Sequence, residues 1–214
     1  MARQLIRWHS EKGRAFPWRA EREPYRLVVA EILLRKTRAE AIVAAYEDLL
    51  ATYPNAKALA VADEASIRGQ IGYLGLGSQR SRQLRDAAKT LVAAESAPSY
   101  AVLHHPGIGD YGNAAIAVMA EDTVAAPVDG NIARIVMRVF GFEPIRWEPR
   151  KSPWIRERVR ELFEDVSPKQ RRSLLFGLLD LGALVCTPRR PRCSECPLTR
   201  SCSCRPLFST EKSP

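Results

Sequence analysis

The chain has no cysteine before residue 186, no long apolar run and few strand signals. The N-terminus, MARQLIRWHSEKGRAF, lacks the apolar core of a signal peptide. No apolar run approaches the roughly 20 residues of a membrane span. SLLFGLLDLGALV (173–185) is too short and contains Asp180. These absences lead to the expectation of a cytosolic protein, lying with the nucleoid if the source is prokaryotic, with no membrane partner. Stable disulfides are not expected in such a compartment. Internal repeats are also missing. Acidic residues are outnumbered, 24 against 33 basic, giving a net charge of +9. That imbalance favours a polyanionic partner, nucleic acid first; the plainer alternative is a soluble protein that is merely basic. Apolar residues make up 46% of the 214 and charged residues 27%, which excludes a disordered chain and allows one large or two small domains.

What is present is helical periodicity. PYRLVVAEILLRKT (24–37) opens with a proline suited to a first helical turn. AEAIVAAYEDLLATY (39–53) repeats Ile42, Tyr46, Leu49 and Leu50 near helical spacing. Two further helices are expected over 63–75 and 79–94, meeting at the glycine-rich GYLGLGS. SYAVLHH and YGNAAIAVMA flank a bend at PGIG (106–109). NIARIVMRVFG places Ile132, Ile135, Val136 and Val139 on one face and stops at Gly141. A polar connector (143–154) precedes two last helices, 154–166 and 169–186, and an irregular tail. The pattern predicts an all-α protein.

The five cysteines lie between 186 and 204. Clustered in a reducing compartment, they point to a metal site. Cys186, Cys193, Cys196 and Cys202 are spaced C-x6-C-x2-C-x5-C. Both zinc and iron–sulfur clusters accept four thiolates. A single C-x2-C knuckle, where a zinc ribbon has two, leans towards the cluster. Either group would hold the loop in place, and Arg189, Arg190, Arg192 and Arg200 would bring it near phosphates. Cys204 is left over.

The bend Gly107-Ile108-Gly109 suits positive φ and close approach, and backbone N–H groups at the next helix start form an anion site for a DNA phosphate. A plain helix–helix turn is the alternative. Glu31 interrupts LVVAEILL (27–34), which is apolar all round and so expected to be buried. A carboxyl there has its pKa raised, or is a structural acid with a partner. Asp129, in APVDGNIARIV, stands at an N-cap position, where the helix favours the ionised carboxylate. One neutral and one charged acid is a pattern for cleaving a glycosidic bond; capping alone is the alternative.

Taken together, FPWRAEREPYRLVVAEILLRKT, GYLGLGSQRSRQL, HPGIGDYGNAAIAVMA, PVDGNIARIV and the four-cysteine loop resemble, in order and over nearly the whole chain, the helix-hairpin-helix DNA glycosylase superfamily, the endonuclease III and adenine mismatch glycosylase group. The resemblance implies a six-helix barrel domain with the hairpin (22–134), a second helical domain (1–21 and 135–214) carrying a [4Fe–4S] cluster on Cys186, Cys193, Cys196 and Cys202, and an active site in the cleft between them. Lyases of the group carry lysine where Tyr111 stands, and a tyrosine forms no Schiff base with the sugar. Adenine-specific relatives have serine there, a Gln-Gln pair where this chain has Arg35 and Lys36, and commonly a further C-terminal domain, for which a chain ending at Pro214 leaves no room. Tyr111 with EILLRKT looks most like the T·G mismatch thymine glycosylases, which also remove uracil opposite guanine. His105 and Gly112 depart from the usual leucine and threonine, and Gly112 is expected to loosen the next helix's first turn.

The resemblance therefore implies a monofunctional glycosylase of base excision repair, acting as a monomer on double-stranded DNA with a mismatched or damaged base. Asp129 would stabilise the sugar cation or orient water, Glu31 would hydrogen-bond the extruded base, and Tyr111 would line the pocket. Gly107, Ile108 and Gly109 would hold phosphate. Lys36 and Gln79 would fill the gap or touch the orphaned guanine; as exposed polar residues they are equally read as solvated, and so is the stripe Arg80, Arg82, Arg85. The rival readings are an adenine glycosylase acting on A·G or A·8-oxoguanine, and a catalytically silent DNA-binding iron–sulfur protein.

Overall fold

A computed structural model describes residues 1–94, 107–142 and 148–204 of the chain. Helix is the regular structure found there, with no strand among the described residues. In chain order the α-helices are α1 (Ala2–Lys12), α2 (Pro17–Ala20), α3 (Pro24–Leu34), α4 (Val43–Thr52), α5 (Ala56–Ala60), α6 (Glu64–Ile71), α7 (Gly77–Ala93), α8 (Asp110–Glu121), α9 (Gly130–Phe140), α10 (Pro153–Glu164) and α11 (Pro168–Asp180). The SYAVLHH segment, with His105, and residues 143–147 of the connector lie outside the described residues; the rest of the connector holds a 3₁₀ turn (Pro149–Lys151). Two compact units form, Ala15–Glu121 and Met1–Arg14 with Asp122–Pro214. In this division α9 goes with α10 and α11, on which it packs, and α2 goes with α3.

In the unit Ala15–Glu121, α3 is the central element. Pro24 starts it, and the Glu23 carboxylate accepts from the Tyr25 and Arg26 N–H groups at 3.0 and 3.1 Å. Its apolar residues have no wet face because α4, α7 and α8 all pack on it. Tyr25, Leu27, Val28, Val29, Ala30, Ile32 and Leu33 are all buried. Burial of these side chains at roughly 1.5–3 kcal/mol each is the main term favouring this unit. The two expected helices 39–53 and 63–75 are each split, the first opening with a 3₁₀ turn (Ala39–Ile42) and the second closing with one (Gly72–Leu74).

In the other unit α1 packs along α11. Leu5 is fully buried, and Gly177 makes the close approach possible: a Cβ there would stand 3.1 Å from the Leu5 carbonyl oxygen. At the end of α11 the fully buried Asp180 accepts from Arg14 N at 2.9 Å and from Arg14 Nε at 2.8 Å, with His9 Nε2 at 3.9 Å. A buried carboxylate needs such donors. Helix α9 begins under the Asp129 cap and ends at Gly141, whose φ of 66° and N–H to Met137 O complete a left-handed C-cap. The periodicity over 169–186 continues beyond α11 as a π-helical turn (Leu181–Val185), which delivers Cys186.

Candidate functional site

In the unit Ala15–Glu121, Gly107 has φ of 79°, as its bend requires, and a Cβ there would collide with Gln83 Cγ at 2.5 Å. The turn's carbonyls are held from inside the unit. Arg35 Nη1 donates to Gly107 O at 2.6 Å, and Asn113 Nδ2 donates to Ile108 O at 3.1 Å. Ile108 is buried, so it anchors the turn. Glu31 is buried on α3, as expected, and lies against the first turn of α8: a Cβ on Gly112 would stand 3.3 Å from Glu31 Oε2 and 2.5 Å from Ile108 Cγ2. Gly112 thus makes room for Ile108 and the carboxylate, a packing role that the expectation of a loosened turn missed. Tyr111 is half-buried on the same turn.

Lys36 and Gln79 are both exposed. Lys36 sits after α3 at φ of 56°, and Gln79 lies in the first turn of α7. Beside Gln79, Leu76 is also left-handed, φ of 55°, and is 49% exposed. The arginine stripe is not uniformly solvated. Arg82 is exposed, and Arg85 pairs with Glu64 at 2.5 Å. Arg80 is 2% exposed and donates to Leu74 O, Gly75 O, Arg35 O and Thr37 Oγ1.

In the other unit Asp129 caps α9, with Oδ1 accepting from Ile132 N at 2.7 Å. Oδ2 accepts from Asn131 Nδ2 at 3.2 Å. Asn131 Oδ1 accepts from Arg134 Nη2 at 2.8 Å, and Arg134 Nε donates to Cys186 O at 2.8 Å. A hydrogen-bonded chain therefore runs from the carboxylate to the backbone of the first cysteine. Burial pushes the Asp129 pKa upward; the N–H groups of Ile132 and Asn131 and the charge of Arg134 oppose it without cancelling it. The cap alone suggested an ionised group, and burial opposes that tendency.

Cys186, Cys193, Cys196 and Cys202 all line one cavity, together with Arg138 and Cys204. Among the described residues no three His, Cys, Asp or Glu side chains gather as they would on a single ion. Four sulfurs spread around a common space fit a polynuclear group better than one tetrahedral ion. Burial pushes the Cys196 thiol up to about 11, the Leu198 N–H opposing and the neighbouring thiols adding to the rise. Arg138 ties the loop to α9: Nη1 donates to Cys186 Sγ at 3.4 Å and to Thr187 O at 2.8 Å, and Nη2 donates to Pro188 O at 2.8 Å. Arg192 braces the loop through Leu184 O.

Sequence reasoning missed Asn131, Arg134 and Arg138, which follow Asp129 on α9, and the buried Arg80. The helical spacing of Arg134 and Arg138 after an N-cap was a usable signal. Arg80 gave none, since a lone arginine in a basic helix looks solvated.

Residues 29–163 match the model of the HhH-GPD superfamily base excision DNA repair proteins, and 186–202 match the iron–sulfur binding domain of endonuclease III. A thymine-DNA glycosylase of Aeropyrum pernix is 34% identical, covering 94% of this chain and 92% of the relative. A thymine/uracil-DNA glycosylase of Methanothermobacter thermautotrophicus is 32% identical, covering 93% and 90%. An adenine DNA glycosylase of Rattus norvegicus is 30% identical over 94% of this chain, which spans 40% of that relative's length. The structure of a thermostable thymine-DNA glycosylase superposes with a TM-score of 0.82 at 28% identity, covering 96% of this chain and 95% of that one.

Proposed function

The chain belongs to the HhH-GPD superfamily of base excision DNA repair proteins, and on that premise we propose that it is a monofunctional DNA glycosylase removing thymine or uracil mispaired with guanine. Asp129 is the observation that carries this reading: a half-buried carboxylate at a helix start, held on both oxygens and linked through Asn131 and Arg134 to the cysteine loop. In its ionised form it stabilises the oxocarbenium-like sugar or orients water as the N-glycosidic bond breaks. Glu31 hydrogen-bonds the extruded base. Tyr111 lines the pocket and, being no amine, supplies no Schiff base. The mispaired nucleotide must leave the stack for this chemistry. Gly107, Ile108 and Gly109 engage the phosphate backbone, and Lys36, Gln79 and Leu76 address the vacated position, Leu76 as an apolar wedge.

Cys186, Cys193, Cys196 and Cys202 would hold the iron–sulfur group, which we read as [4Fe–4S] from the four sulfurs around one cavity. When bound, it supplies cross-linking of the loop. The protein acts on double-stranded DNA as a monomer in the cytosol, with the nucleoid in a prokaryote. The test is incubation with duplexes carrying T·G, U·G, A·G and A·8-oxoguanine, followed by alkali. Alkali-labile breaks at T·G and U·G are expected, with none before alkali. Breaks confined to the adenine duplexes transfer the protein to the adenine reading, and none anywhere makes it a silent DNA-binding module.

A further inference from the structure

Lys36 and Leu76 are both held in left-handed backbone, at φ of 56° and 55°, in two loops far apart in sequence. That conformation costs about 1–2 kcal/mol per non-glycine residue and persists where the surroundings impose it. One side chain grips both loops. The Arg80 guanidinium donates through Nη1 to Leu74 O at 3.0 Å and Gly75 O at 2.7 Å, immediately before Leu76. Through Nη2 it donates to Arg35 O and Thr37 Oγ1, both at 2.5 Å, on either side of Lys36. Arg35, so held, reaches with its own Nη1 to Gly107 O at 2.6 Å. The third loop is seated on the helix that carries Arg80, because Gly107 abuts Gln83. All these residues belong to one compact unit.

We propose that Arg80, acting through Arg35, is a positioning residue that locks the Lys36 loop, the Leu76 loop and the hairpin turn into one body, so that anchoring a phosphate at the turn delivers both Lys36 and Leu76 to the vacated base position. The inference rests on the glycosylase reading and adds to it a device for extrusion. Arg80 is buried and its four acceptors are neutral oxygens, with Nε–H finding no partner among the described residues. Such a guanidinium is an expensive way to gain stability alone. Its planar fork suits it to holding four oxygens on two loops at fixed separation. Loops ordered beforehand do not have to be ordered during binding, which leaves more of the contact energy for unstacking the base.

The experiment compares Arg80→Lys and Thr37→Val with the wild type, using the full chain with its cluster. Duplexes carry 2-aminopurine beside a T·G mispair, so that fluorescence reports unstacking whether or not the base is released. Single-turnover release is then measured from T·G and from thymine opposite an abasic site, where pairing no longer opposes extrusion. The expected result is a folded Arg80→Lys protein that binds duplex within about threefold of wild type, with the fluorescence rise reduced by half or more. Release from T·G falls about tenfold or more, and release opposite the abasic site by under about threefold. Thr37→Val shows the same pattern, weaker. Equal losses on both substrates, or an unchanged fluorescence rise, overturn the proposal. If Arg80→Lys does not fold, Thr37→Val decides by the same criteria. If the wild type releases no base from any duplex, the glycosylase reading fails, while the fluorescence still decides whether Arg80 governs extrusion.

Discussion

A Cβ on Gly182 would stand 2.5 Å from the Cβ of Asn131, so the π-helical turn before Cys186 and the start of α9 meet with no spare room. Asn131 is the residue that joins Asp129 to Arg134. Gly182→Ala therefore pushes directly on the carboxylate's support. Overpacking of this kind costs about 1–3 kcal/mol. The expected outcome is a lowered melting temperature together with a loss of base release larger than the loss of DNA affinity. Retained release in a destabilised protein would show that Asn131 does not set the carboxylate's position.

The helices, the burial of Glu31 and the Asp129 cap were legible in the sequence because each rests on local pattern: all-round apolarity for α3, an aspartate before a periodic run for α9. The four cysteines were legible as spacing. What escaped were contacts between segments distant in sequence. Arg80 reads as one more solvated cation, yet it is buried by two loops that pattern analysis treats separately. Gly112 looked like a weakness in a helix turn, and only the packing of Ile108 and Glu31 against it shows what it permits. Cys204 lies outside the 186–202 iron–sulfur match, and only the structure shows that it lines the same cavity as the other four.

Asp129 carries a pH signature. Its folded pKa lies above the ordinary 3.8 because burial outweighs the Ile132 and Asn131 N–H groups. The folded protein therefore binds this proton more tightly than the unfolded chain does. Stability from this group is present at low pH and is lost as pH rises from about 3.8 through the raised value. Asp129→Asn removes that slope. Denaturant titrations should show the variant gaining on the wild type as the pH rises above 3.8. Its base release should fall by about 100-fold or more while duplex binding survives. A pH-independent difference in stability would contradict the shift, and normal turnover would remove Asp129 from the chemistry.

Gly112→Ala exchanges a poor helix former for the best, worth about 1 kcal/mol in an open helix. Here the sign reverses. The added Cβ would stand 2.5 Å from Cγ2 of Ile108, itself a buried side chain. The hairpin turn must shift, and Glu31 Oε2 is the next atom the Cβ meets at 3.3 Å. We expect a protein less stable than wild type and slower in base release. Gly130→Ala serves as the control, because among the described residues nothing lies within 4 Å of a Cβ there. Equal behaviour of the two variants would mean that Ile108 moves aside freely.

Arg138 donates to Cys186 Sγ at 3.4 Å while its other bonds hold Thr187 O and Pro188 O. A positive donor at a ligand sulfur stabilises the more negative, reduced state of an iron–sulfur cluster. Arg138→Met should leave the protein brown with its iron and sulfide content intact, and lower the cluster's reduction potential measured by potentiometric titration. An unchanged potential would show that the hydrogen bond is not made when the group is bound. A colourless wild type with stoichiometric zinc would replace the cluster altogether.

Tyr111 stands half-buried on the first turn of α8, the turn that also carries Gly112 beside Glu31. A phenol at this place has no nitrogen with which to attack the sugar carbon. Replacing it by lysine supplies the missing amine without altering the turn's backbone, since lysine is a good helix former. Tyr111→Lys should convert part of the base release into strand nicking without alkali, and borohydride should trap a covalent protein–DNA adduct visible as a shifted band on a denaturing gel. The wild type should give neither. The double variant Tyr111→Lys with Asp129→Asn tests the division of labour. If Asp129 serves the sugar cation in both pathways, adduct formation falls with base release; if the adduct survives, the new amine attacks without it. No adduct from the single variant, in a protein that still binds duplex, would show that residue 111 does not face the sugar.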